Sequence, residues 1–60
     1  MNKDHRPYRD AHANVYDALS RLRVAKRNIE VLERDRALAL IQYSIQQLQL
    51  AQDNLRQAKD

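Results

Sequence analysis

The side chains best suited to chemistry in this chain are two histidines, His5 and His12, and three tyrosines. Tyr8, His12 and Tyr16 stand at i, i+4 and i+8, a spacing that sets them in one strip along a helix. Such a strip could bind a metal ion or titrate near the imidazole value of about 6.5. The plainer reading is a half-exposed row packed on the end of a helical bundle, and the ligand count favours it. His5 and His12 are seven residues apart, about 10.5 Å along a helix axis, too far to share a metal within one chain. With no cysteine there is no thiolate ligand or disulfide, and two histidines are too few for a structural zinc cage. Asp17, Glu30, Glu33 and Asp53 show none of the Glu-x-x-His spacing that di-iron bundles use. No catalytic residue, cofactor, metal site or small-molecule substrate is therefore expected, and the chain does not read as an enzyme.

A second candidate is electrostatic. Arg21, Arg23, Lys26 and Arg27 fall within one stretch that has no acid between Asp17 and Glu30, and Arg34 and Arg36 extend it. Such a patch could neutralise phosphates of RNA or DNA. A solvated helix face explains most of it equally well: Asp17–Arg21, Lys26–Glu30 and Glu30–Arg34 are i, i+4 pairs. The tyrosines are not interleaved with the basic run, which weakens base stacking. Net charge is +3, and it belongs to the first part of the chain. Residues 1–36 carry nine Lys/Arg against six Asp/Glu, whereas 37–60 carry two against two.

The elements behind these residues are helical. There is no glycine, and the only proline is Pro7, so tight hairpin turns and phosphate-cradling loops are disfavoured. Ala, Leu, Arg, Gln and Lys dominate, all good helix formers. A seven-residue repeat runs from Tyr8, with Tyr8, Val15, Leu22 and Ile29 at position a and Ala11, Ala18, Ala25 and Leu32 at d. The register then fails, because the next a position is Arg36. A second seam has Ile41, Leu48 and Leu55 at a and Ala37, Ser44, Ala51 and Ala58 at d. The break predicts an all-α fold: an antiparallel hairpin with helix 1 over about 7–33, a turn about 33–36 and helix 2 about 36–58. Pro7 suits a first helical turn, and Asp35 is placed to cap the second helix. The alternative is one long broken helix in a coiled coil; the lack of glycine at the turn is its main support. Residues 1–6 are expected to form a frayed polar N-terminus, and the last few residues should fray too.

Both seams place large aliphatics at a and mostly small residues at d. Folding about a tip at 33–36 pairs Leu32 with Ala37, Ala25 with Ser44, Ala18 with Ala51 and Ala11 with Ala58. Leu19, Leu38 and Ile45 at e and Leu40 at g widen the apolar stripe beyond what one neighbouring helix covers. A domain of 60 residues buries little surface alone, and ordering each residue costs roughly 1.5 kcal/mol. Without disulfides or metal, association is the remaining source of stability. The expected assembly is a homodimer, a four-helix bundle with Val15, Ala18, Leu22, Ala25, Ile29, Leu32, Ala37, Ile41, Ser44, Leu48, Ala51 and Leu55 in its core. Apolar residues outside the seam, Tyr16 at b and Val24, Val31, Tyr43 and Leu50 at c, are either ordinary surface or a face for another protein. Tyr16, Tyr43 and Leu50 are the strongest of these candidates.

The longest apolar run, Ala37 to Ile41, is far short of the roughly 20 residues a membrane span needs. No secretory leader or lipid-anchor motif is visible, so no membrane partner is expected and a cytoplasmic location is the default. The sequence thus points to a bundle-forming protein-interaction module, an adaptor, regulator or structural subunit. A nucleic-acid-binding hairpin dimer is the alternative.

Overall fold

A computed structural model describes residues 4–58. Two helices, α1 (Arg6–Glu30) and α2 (Arg34–Gln57), pack against each other as an antiparallel hairpin. The Cα atoms fill an envelope of 52 × 13 × 10 Å, a rod two helices wide and one helix thick. Such a rod has two open broad faces. Residues 1–3 and 59–60, where the outermost terminal fraying is expected, lie outside the described residues. Of the remaining N-terminal stretch, Asp4 and His5 precede the helix and Arg6 is already in it.

Pro7 sits in the first turn of α1, where its missing N–H costs nothing. His5 occupies the N-cap position without a side-chain cap bond. The Asp4 carboxylate instead accepts the Arg6 backbone N–H at 3.0 Å and its guanidinium at 3.1 and 3.2 Å. Those bonds, the side-chain ones first, hold the Asp4 carboxyl below the usual carboxylate range.

The turn lies earlier than the heptad break suggests. α1 stops at Glu30, Val31 and Leu32 form the turn, and α2 starts at Arg34. The cause is local. Leu32 takes a left-handed φ of 63°. Its N–H donates to the Ile29 carbonyl at 3.1 Å, and the Glu33 N–H reaches back to the Asn28 carbonyl at 2.7 Å. This is the Schellman closure normally built on glycine, here made by leucine. Three expectations change with it. Leu32 does not join Ala37 in a core layer: it is 91 % exposed. Asp35 is not the cap; Glu33 holds that position without a side-chain bond, and Asp35 in the first turn pairs with Arg34 at 3.0 Å. The third is the cross-helix register.

Ser44 Oγ donates to the Leu40 carbonyl at 2.8 Å and lies 3.3 Å from the Ala18 carbonyl oxygen across the seam. Ser44 is therefore level with Ala18, not with Ala25. Steps of seven from that contact set Ala11 level with Ala51 and Ala25 with Ala37. The expected pairing is displaced by one heptad because the tip is closer to the N-terminus. Ala11, Ala18, Ala25, Ala37, Ser44 and Ala51 are the buried side chains of the hairpin. Small residues there let the backbones approach toward the close end of the usual 8–10 Å range.

The left-handed leucine gives a stability prediction. That conformation costs a non-glycine residue about 1–2 kcal/mol. Glycine removes the cost but adds about 0.4–1 kcal/mol of unfolded-chain freedom. In the single hairpin, at low chain concentration, Leu32→Gly should therefore stabilise the fold by a net of about 0.5–1 kcal/mol in thermal melts followed by circular dichroism. A loss of stability instead would mean that the exposed leucine side chain packs against something outside the hairpin.

Candidate functional site

The helices meet through d and its neighbouring g row, not through a and d together. On the g row, Asn54 Nδ2 donates to Asn14 Oδ1 at 2.8 Å, and Asn14 Nδ2 donates to Gln47 Oε1 at 3.0 Å. This polar ladder closes one flank of the alanine seam. No buried side-chain nitrogen or oxygen among the described residues lacks a hydrogen bond. Sequence reasoning passed over these three amides; their g spacing beside the small d residues was the available signal.

Beyond the ladder, Tyr43 donates its hydroxyl proton to Asp17 Oδ2 at 2.6 Å. The Arg21 guanidinium lies 5.2 Å from the Tyr43 ring centroid and its Nε is 3.4 Å from Asp17 Oδ1. The carboxylate acceptor, and then desolvation, push the Tyr43 phenol above its ordinary value. The sign follows from the donor being the neutral form. This bond supports the fold fully below the ordinary phenol pKa of about 10 and is lost as pH rises through the higher folded value. In Asp17→Asn, the Tyr43 ring resonances should titrate at lower pH than in the parent chain. An unchanged midpoint would show that the carboxylate is not the cause.

Tyr43 is thus occupied within the hairpin. Leu50 lies on the same flank, exposed, whereas Tyr16 projects from row b of α1 at 67 % exposure. Rows b and c are about 100° apart on a helix, so the three do not make one surface. The basic residues separate in the same way. Arg21 is on the Tyr43 flank, Lys26 pairs with Glu30 at 3.0 Å, and Arg23 and Arg27 stand exposed without an ion-pair partner among the described residues. No three His, Asp or Glu side chains among the described residues gather as a metal ligand set. No helix among them is long and apolar enough to cross a membrane.

The broad face opposite the Tyr43 flank is different. Rows a and e of both helices rise on the same side of the rod, because the helices are antiparallel and share the d/g seam. Val15, Leu19, Leu22 and Ile29 from α1 adjoin Leu38, Ile41, Ile45, Leu48 and Leu55 from α2. Apart from the half-buried Ile41, all of these are exposed, Ile29 by 57 %. The polar breaks on these rows are His12, Lys26, Arg34 and Gln52. At the turn end the face dips into a cleft of about 480 Å³, whose walls are the apolar Ile29, Leu32, Ala37, Leu38 and Ile41 with the charged Glu33 and Arg34. Every large aliphatic expected in an oligomer core, Leu32 aside, stands on this face. In a single chain it is uncovered.

No protein-family model matches this chain, and neither a curated protein nor a solved structure shows detectable similarity to it.

Proposed function

We propose that the chain is a non-catalytic protein-interaction module that works as a homodimer, two hairpins burying their a/e faces as a four-helix bundle. It would act as an adaptor, small regulator or structural subunit. One observation carries the reading: the hairpin buries five alanines and a serine and leaves eight of its eleven leucines and isoleucines on one face. A buried methylene-sized group contributes about 0.8 kcal/mol and a buried Leu or Ile about 1.5–3 kcal/mol. The larger hydrophobic contribution is thus available only on association. A twofold pair supplies matching faces from a single sequence.

The test is mass against concentration. Sedimentation equilibrium should give a dimer at micromolar chain concentration, and the melting temperature should rise with concentration. A monomer whose melting is independent of concentration would remove the proposal. Arg23 and Arg27 favour a second reading, in which the dimer binds RNA or DNA with their outward side. Phosphate contacts weaken steeply with salt, unlike an apolar docking face. On that reading Arg23→Gln with Arg27→Gln should abolish low-salt binding in a gel-shift assay; binding unchanged in the double variant removes it.

A further inference from the structure

We infer that the two copies pack antiparallel, with the turn of each hairpin beside the chain ends of the other, so that the partner's Tyr8 and Leu55 fill the turn-end cleft. The inference rests on the self-association proposed above and gives it a direction. Three observations agree on it.

The first is shape. The cleft of about 480 Å³ lies at one end of the a/e face. At the other end Tyr8 and Leu55 are the large side chains of row a, both exposed. A parallel pair would set cleft against cleft and leave a void, which close-packed cores do not tolerate. An antiparallel pair sets a recess against an aromatic and a leucine.

The second is the order of polar interruptions along the face. Lys26 of α1 and Arg34 of α2 break it toward the turn, and His12 and Gln52 break it toward the ends. A parallel twofold pair stacks α1 on the partner's α2 and brings Lys26 beside the partner's Arg34 at one end of an apolar interface, where like charges are costly. An antiparallel pair stacks α1 on the partner's α1, so these cations lie at opposite ends of the bundle.

The third is overall charge. The turn half of the hairpin, residues 20–44, carries six Lys/Arg against three Asp/Glu. The other half, residues 4–19 and 45–58, carries three Arg against four Asp. Antiparallel packing sets the positive half beside the slightly negative one; parallel packing stacks the two positive halves.

The chain has no cysteine, so Tyr16→Cys gives a single nitroxide attachment point at the outer edge of α1, near the middle of the helix. Pulsed dipolar spectroscopy then reads the distance between the two labels. Antiparallel copies stack α1 on the partner's α1 and hold both labels on the same edge, about 6 Å apart along the bundle axis at 1.5 Å per residue. Parallel copies put the labels on opposite edges, at least about 10 Å farther apart, because helix axes lie 8–10 Å from one another. The short distance is the expected result. The long one, in a sample that sediments as a dimer, overturns the antiparallel packing and leaves self-association standing. A monomeric mass with no dipolar coupling overturns self-association itself. A second measurement keeps the pairing open to refutation. Tyr8 and Ile29 are about 30 Å apart within one hairpin at that rise, so they can interact only across the dimer. Tyr8→Ala and Ile29→Ala should each weaken dimerisation, and the double variant should fall short of the product of the two by at least fivefold. Independent effects would overturn the filling of the cleft.

Discussion

Leu22→Glu should turn the proposed dimer into an unstable monomer, with a loss above about 4 kcal/mol per dimer. Leu22 stands at the middle of row a, 36 % exposed in the single hairpin. Glutamate is nearly as good a helix former as leucine, so α1 itself should tolerate the change. In an isolated hairpin the effect would fall within the roughly 0.5 kcal/mol typical of surface substitutions. In a dimer, removing a buried leucine costs about 2–5 kcal/mol, twofold symmetry applies the loss twice, and the new carboxylate is buried without a partner. The two cases differ several-fold, so equilibrium urea unfolding with sedimentation of the same sample separates them. Unchanged stability and unchanged mass would mean that the a/e face is ordinary surface.

What could be read from the sequence, and what could not, follows from periodicity. The a/d repeats identify both helices and the small residues between them, because alanine at every seventh position is a pattern that packing alone explains. The same repeat cannot fix the register. Sliding α2 by one heptad still sets small d residues against small d residues, so Ala18 facing Ala51 reads as well as Ala18 facing Ser44. The register depends on where the chain turns, and that depends on Leu32 adopting a left-handed conformation, which no leucine announces. Once the turn is placed, Asp17–Tyr43 and Asn14–Gln47 come within hydrogen-bond distance. These pairs are specific to the observed register, and they tie Tyr43 to α1. The repeat also groups a with d, whereas the hairpin uses d with g. Close approach at the alanines turns row a sideways, which converts an expected internal core into an external face.

Ala18→Leu tests that close approach and should cost about 1–3 kcal/mol through overpacking. Ala18 is 1 % exposed, and its carbonyl oxygen lies 3.3 Å from Ser44 Oγ, so its methyl group faces the other backbone with no free space. A leucine there must either take a strained rotamer or push the helices toward the wide end of the 8–10 Å range. Widening would break the Ser44 contact and stretch the Asn14–Gln47 bond, so the cost reaches beyond the substituted residue. Ala13 and Ala39, exposed alanines on the outer sides of α1 and α2, supply the controls. Ala13→Leu and Ala39→Leu should shift stability by no more than about 0.5 kcal/mol, because nothing packs on them within the hairpin. The contrast removes leucine's own helix propensity from the comparison. Denaturant unfolding of the three variants at one chain concentration gives the difference directly. If Ala18→Leu raised the melting temperature with the mass unchanged, the alanine seam would not be closely packed, and the reason given for the displaced aliphatic face would fail with it.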